Sequence, residues 1–156
     1  MDKNQKERLN YFLVHIFNHI LSWEESSFKE MGISDLSLRE LHVIEAVCNL
    51  KKSDKNRMSD IANYLSITPG SLTTSVNTLV KKGYLVREND KNDRRVVLVV
   101  TSEKAEKVND IHATFHSSMI EKVAEAVGDD ESRVLVKTLE KLSIFFTEKS
   151  EVRRRK

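Results

Sequence analysis

Two amphipathic runs, "MSDIANYL" (58–65) and "PGSLTTSVNTLVKK" (69–82), are separated only by Ser66, Ile67 and Thr68. In the first, Met58, Ile61, Ala62 and Leu65 recur at helical spacing. In the second, Leu72, Val76, Leu79 and Val80 do the same. Thr68 followed by Pro69 makes an N-cap and first-turn pair, and Gly83 stops the second helix. Two short helices joined by so tight a turn form a helix-turn-helix.

The outer face of the second helix departs from that of an ordinary surface helix. In place of Glu, Lys and Gln, which favour helix and water, it carries Gly70, Ser71, Thr73, Thr74, Ser75, Asn77 and Thr78. The chain has 24 acidic residues, yet none lies from Ile61 through Arg87, where Lys81, Lys82 and Arg87 are positive. That is a zone prepared for an anion. In a DNA major groove, long acidic side chains would be repelled by phosphates and bulky ones would hold the backbone away. Ser, Thr and Asn sit close, donate to phosphates and read base edges. An ordinary solvated face would leave the missing acids without a reason.

After Gly83 the apolar period changes from helical to extended. "YLVRE" and "RVVLVV" read as two strands, and the polar "NDKND" between them as their turn. This basic hairpin, with Lys91, Arg94 and Arg95, completes a winged helix-turn-helix. The second helix is expected to lie in the major groove. The residues expected to meet DNA are Thr68, Gly70, Ser71, Thr73, Thr74, Asn77, Lys81, Lys82 and Arg87, with Lys91, Arg94 and Arg95 in the wing.

Long helices flank this unit. The first runs from roughly Lys6 to Met31, with Leu9, Phe12, Leu13, Ile16, Ile20 and Trp23 on one broad face, and Gly32 ends it. Ser37 with Glu40 makes a capping box for "LRELHVIEAVCNL". From about Ser102 a further helix carries Val108, Ile111, Phe115, Ile120, Val123 and Val127. After "GDD" (128–130) a last helix aligns Leu135, Leu139, Leu142, Phe145 and Phe146. Four glycines and one proline suit a mainly α chain. The expected fold is therefore mainly α with a small β-hairpin wing, a single domain over 1–156. Its winged helix-turn-helix lobe spans 37–101, and 1–36 with 102–156 form a helical dimerisation region. Apolar stripes this broad are too greasy to stay solvated, so the outer helices are expected to pair in a homodimer.

Charged residues make up 32% and hydrophobic ones 39%, the balance of a soluble globular protein. The longest uninterrupted apolar run, Val96 to Val100, is far too short for a membrane span. The opening "MDKNQKERL" has no apolar core or cleavage site of a signal peptide, and the lone Cys48 has no internal partner. A cytoplasmic protein is expected. The basic run "RRRK" at 153–156 reads as a solvated end within reach of a phosphate backbone.

Almost the whole chain resembles the MarR family of dimeric bacterial transcription regulators. The resemblance rests on the run from Met58 to Val86, on the wing "DRRVVLVVT", and on the long helix at either side. The family wing carries an Asp-x-Arg pair that maps onto Asp93 and Arg95. The resemblance implies that Arg95 enters the minor groove and Asp93 orients it, a physically sound use of an arginine. A two-fold dimer would present two recognition helices roughly 34 Å apart to a pseudo-palindromic operator on double-stranded DNA.

Within the family, "IFNHILSWEESSF", "LRELHVIEAV", "SLTTSVNTLVKKGY", "DRRVV" and "HATFHSSMIEKV" are similar to the fatty-acid-synthesis repressors of Gram-positive bacteria. That branch implies repression strengthened by long-chain acyl groups on acyl carrier protein. Phe12, Ile16, Trp23, Phe28, Ile111 and Phe115 would line the acyl pocket, or else serve as core. No cofactor is required. The competing signal is zinc. His112 and His116 stand four residues apart on one helix face, the spacing that offers two imidazoles to one ion. A zinc-sensing branch uses a Glu and three His that map onto Glu24, His42, His112 and His116. That branch also has acids just before two of its histidines, where this chain has Leu41 and Ile111. The same four residues also read, without any metal, as a hydrogen-bonded seam between helices. His15 and His19 have no acidic or cysteine partner that the sequence places.

Cys48 reads as a small buried residue, since the family's peroxide sensors place their cysteine in the first helix and this one has none. Catalysis is not expected. There is no G-x-S-x-G, P-loop or H-E-x-x-H, and "HATFH" lacks a general base.

Overall fold

The computed structural model describes residues 1–91 and 93–147, and α6 is traced on to Arg154. Asn92 of the expected wing turn and the side chains of the basic run at 153–156 lie outside the described residues. In chain order the elements are α1 (Lys3–Glu30), α2 (Leu38–Lys51), α3 (Met58–Tyr64), α4 (Pro69–Lys81), β1 (Leu85–Asn89), β2 (Val97–Thr101), α5 (Glu103–Val127) and α6 (Asp129–Arg154). The mainly α architecture with a hairpin wing is the one the sequence implies. Among the described residues, no helix is long and apolar enough to cross a membrane.

Met1–His112 and Ala113–Lys156 form two compact units. The first holds the winged helix-turn-helix. Its core joins Ile44 and Val47 of α2, Ile61 of α3, Leu72, Val76 and Leu79 of α4, and Val99 of β2, none more than 1% exposed. The α1 helix adds only its C-terminal end, through Glu24 and Phe28. Upstream of these, Phe12, Ile16, Phe17 and Trp23 stay exposed.

The punctuation read from sequence sits where the chain turns. Ser37 and Glu40 cap each other reciprocally, with Ser37 N–H donating to Glu40 Oε2 at 2.8 Å and Glu40 N–H to Ser37 Oγ at 3.3 Å. The first helix starts three residues before the expected Lys6, because Asp2 and Gln5 form a second such box. Gly83 takes φ +77° just beyond α4, a left-handed conformation open to glycine without penalty. The turn between α3 and α4 uses that conformation at Ser66, with φ 55°.

The wing is an antiparallel pair running from Leu85 opposite Thr101 to Asn89 opposite Val97. Its root is pinned from the α2–α3 loop. Buried Asn56 donates from Nδ2 to the Val99 carbonyl at 3.1 Å, and Val99 N–H returns to the Asn56 carbonyl at 2.9 Å. An Arg57–Leu98 bridge extends that pairing.

In the second unit, α5 ends at Val127 and Gly128 (φ +85°) turns the chain into α6. Asp129, Asp130 and Glu131 occupy the first turn of α6, where negative charge suits the helix dipole. Val134, Leu139, Ile144, Phe145 and Phe146 are large, apolar and exposed.

Candidate nucleic-acid interface

Leu72, Ser75, Val76 and Leu79 of α4 face inward, which leaves Gly70, Thr73, Thr74 and Asn77 as an exposed stripe with Lys81 at its end. Thr68 caps the helix by accepting from Ser71 N–H at 3.2 Å. The hydroxyls of the weak helix formers turn back on their own helix. Thr73 donates to the Pro69 carbonyl at 2.8 Å, Thr74 to Gly70 at 3.1 Å, and Thr78 to Thr74 at 3.1 Å. What they show outward is methyl groups and oxygen lone pairs. At Gly70, an added Cβ would meet nothing within 4 Å. The packing of this chain therefore does not call for glycine there, and a glycine admits close approach of another molecule.

In the wing, Arg94 and Arg95 are exposed, with the Arg95 side chain 95% so. Asp93 does hold Arg95, though mainly by its backbone. The Arg95 N–H donates to Asp93 Oδ1 at 3.0 Å, whereas the guanidinium Nε stands 3.9 Å from that oxygen. Lys91 is exposed in the same turn. Arg87, on β1, reaches across to α4, where its Nη2 donates to Asn77 Oδ1 at 2.7 Å.

Lys82 departs from expectation. Its ammonium donates to both carboxylate oxygens of Glu40, at 2.8 and 2.9 Å, and to the Asp35 carbonyl. Burial alone would raise the Glu40 pKa. Hydrogen bonds from Lys82 and Ser37 outweigh it and hold the carboxyl below its ordinary value. Alongside, Tyr84 donates to Asp35 Oδ1 at 2.8 Å, and Lys104 reaches Asp35 Oδ2 at 3.2 Å while stacking over the Tyr84 ring. Lys82 therefore anchors the end of α4 to the start of α2 instead of standing free for phosphate. Lys82→Met is expected to destabilise the fold by about 1–3 kcal/mol, the range for a lost charged hydrogen bond. Lys81→Met should leave thermal unfolding unchanged and weaken DNA binding at every sequence. Melting curves and operator titrations on the two variants separate these roles.

A second cluster lies where the end of α1 meets α2 and the first part of α5. Glu24 and His112 are 2% and 1% exposed. Glu24 Oε1 accepts from His112 Nε2 at 2.6 Å and from His42 Nε2 at 3.2 Å. Burial would raise the Glu24 pKa, yet the hydrogen bonds from His112 and His42 overcome it and lower the carboxyl to about 2. The hydrogen bond to Glu24 raises His42 in turn, against the opposing effect of its burial. Glu45, which the sequence did not single out, places Oε2 3.8 Å from His112 Nδ1. The ligand atoms of Glu24, His42 and His112 all lie within 4.8 Å of one another, and a carboxylate with two imidazoles is a donor set that zinc accepts. The same atoms also satisfy one another as a seam, since no buried side-chain polar atom among the described residues lacks a partner. His116 belongs to the second unit, packed edge-on against Phe115 at 5.4 Å.

The proposed pocket residues divide. Phe28 is core, 2% exposed, with its ring 5.3 Å from that of His112. Ile111 packs half-buried against the core, while Phe12, Ile16 and Trp23 are exposed along α1. A cavity of about 420 Å³ opens beside Phe28, lined further by Ile33, Leu36, Leu38 and Leu41. Cys48 is half-buried, and burial with nearby Glu106 pushes its thiol pKa up, as suits an unreactive packing residue.

Residues 36–97 match the MarR family. The HTH-type transcriptional regulator SarT of Staphylococcus aureus is 35% identical over 65 residues, 40% of this chain and 55% of SarT, so the match spans about half of that relative. MepR of S. aureus, solved with DNA, shares the fold at a TM-score of 0.76 with 14% identity over 88% of this chain and 95% of that one. FabT of Streptococcus pneumoniae, also solved in complex with DNA, superimposes with a TM-score of 0.83 at 32% identity, covering 92% of this chain and 98% of FabT. With that identity held over nearly the full length of both chains, and the helix-turn-helix itself matching the family, this chain belongs to the MarR family, whose matched members are transcriptional regulators and not enzymes.

Proposed function

We propose that the chain is a cytoplasmic, homodimeric, sequence-specific DNA-binding repressor of fatty-acid biosynthesis genes that responds to long-chain acyl groups presented on acyl carrier protein. The observation that carries this reading is the likeness to FabT, a fatty-acid-synthesis repressor, along nearly the whole of both chains. The acid-free, hydroxyl-rich face of α4 beside a wing of exposed arginines supports DNA as the target. Exposed Phe12, Ile16 and Trp23 support an apolar occupant or partner against α1. An acyl chain gains about 0.8 kcal/mol per buried methylene, and it can shift operator affinity only as far as it prefers the DNA-competent arrangement.

Zinc is the second reading, favoured by the convergence of Glu24, His42 and His112. There zinc would stand in for the shared imidazole protons and fix α1, α2 and α5 relative to one another in the first unit.

One experiment weighs both signals. Chelator-treated protein is titrated onto a palindromic operator with long-chain acyl carrier protein in one arm and zinc in the other. The expected result is tighter binding with the acyl carrier and little change with zinc. A tenfold zinc response that disappears in His42→Ala and His112→Ala, with none to the acyl carrier, would transfer the role to metal. In the same assay Arg95→Ala should lose roughly 1–3 kcal/mol of binding and relax preference at the operator flanks.

A further inference from the structure

The cavity of about 420 Å³ beside Phe28 lies where the end of α1 meets the loop into α2, and its volume is that of a small-molecule site. Phe28, Ile33 and Leu41 form its buried side, with Leu36 and Leu38 half-buried around it. Of the residues that the sequence offered for an acyl pocket, Phe28 alone lines this space. Among its charged lining groups Glu25 and Lys29 pair with each other at 2.8 Å, so exposed Arg39 gives the opening its net positive charge.

The wall of this cavity also tethers the DNA-reading elements. The loop from α1 to α2 supplies Ile33, Ser34, Leu36 and Ser37 to the wall. Between them, Asp35 holds three other segments. Its carbonyl accepts from Lys82 at the end of α4, and its carboxylate accepts from Tyr84, beside β1, at 2.8 Å and from Lys104 of α5 at 3.2 Å. Ser37 N–H donates to Glu40, whose carboxylate takes Lys82 at 2.8 and 2.9 Å. Two routes of direct hydrogen bonds thus join the cavity wall to the end of the recognition helix.

We propose that this cavity takes a single acyl chain ending in an anion, and that its occupation sets the position of α4 and the wing through Asp35 and Lys82. An apolar lining suits the chain, since a polar ligand would leave its hydrogen-bonding groups unmet against these side chains. Arg39 suits the anion, which a free fatty acid supplies as its carboxylate and a carrier-borne chain as the phosphodiester of its pantetheine arm. An occupant shifts operator affinity only as far as it binds one arrangement of the loop better than another.

This assignment rests on the acyl-responsive reading, and its test separates the two. Wild type, Leu38→Trp, Ser34→Trp and Lys82→Met are each titrated with long-chain acyl carrier protein, unacylated carrier and a free long-chain fatty acid. Calorimetry reads acyl binding, anisotropy reads operator affinity, and melting curves check the fold. Leu38→Trp fills the space from α2. Ser34→Trp fills it from an exposed loop position and carries the test if Leu38→Trp does not fold. A filled variant should bind the acyl chain about tenfold more weakly and lose the operator response, while its operator affinity without acyl stays at the wild-type value. Lys82→Met should bind the acyl chain as the wild type does, with an operator affinity that no longer changes. Loss of the response in the filled variants supports the site whether the carrier or the free acid delivers the chain. An acyl-responsive wild type whose folded filled variants respond undiminished would overturn the cavity and leave the acyl reading standing. A full response in Lys82→Met, or one given equally by unacylated carrier, would overturn the inference as well. A wild type that responds to no acyl form would overturn the acyl reading itself, and the site with it.

Discussion

Glu24→Leu is expected to destabilise the folded chain by about 3–5 kcal/mol, the cost of removing one partner from a buried charged pair. At this chain length that lowers the melting temperature by roughly 6–20 °C. The size follows from where the carboxylate sits. It is 2% exposed and serves two imidazoles from different helices through a single oxygen, so its removal takes away the bond that the nearly fully buried His112 Nε2 donates at 2.6 Å. The pH profile gives an independent reading. Glu24 is lowered from 4.5 to about 2, so its contribution, about 3 kcal/mol, is complete above pH 4.5 and lost as pH falls toward 2. His42 is raised above 6.5, so its share is complete below pH 6.5 and lost as pH rises through the raised value. The two describe one interaction, which is fullest between about pH 4.5 and 6.5. Urea unfolding of chelator-treated protein across pH 2–9 should show both limbs in the wild type; in Glu24→Leu the alkaline limb should vanish and the acid limb shrink to what Glu40 and the other lowered carboxylates supply. An acid limb undiminished in the variant would mean that those other carboxylates carry it.

The sequence disclosed the elements of this fold because their signals are local. Ser37 with Glu40, Thr68 with Pro69, and the glycines at 32, 83 and 128 each act within four residues, and each sits at the boundary it implied. The change of apolar period after Gly83 located the wing for the same reason. What stayed hidden is set by contacts between distant segments. Lys81 and Lys82 are chemically alike and adjacent, and only the Glu40 carboxylate of another helix distinguishes the one that stays free from the one that is bound. Asn56 lies in the α2–α3 loop and carries no sequence signal, yet it is the clamp on β2, since no periodicity reports a strand more than forty residues away. The Asp35, Tyr84 and Lys104 cluster is invisible on the same grounds. At Glu24, His42 and His112 the sequence supplied the residues and left their use open. The fold brings these three together within the first unit and assigns His116 to the second.

Phe145→Asp is expected to convert the proposed dimer to monomers and to remove most operator affinity. In the single chain, Phe145 is 50% exposed and Phe146 56%, their rings 5.2 Å apart edge to face, with Ile144 and Leu139 also open on α6. A stripe of this kind left in water costs about 1.5–3 kcal/mol for each large side chain that a partner would otherwise bury. Two-fold symmetry places every substitution at the seam twice, so one change removes two buried rings and sets two carboxylates in an apolar seam. From the rings alone the dimer would lose about 3–6 kcal/mol, or roughly a hundred- to ten-thousand-fold in dissociation constant. DNA binding must follow. A dimer engages its second half-site at the effective concentration set by the first, an advantage of about 10²–10⁴ that a monomer forfeits. Sedimentation equilibrium and operator titration on the same samples test both statements, with circular dichroism as the check that α6 remains helical. A Phe145→Asp chain that stays dimeric and keeps wild-type operator affinity would exclude this face of α6 from the seam.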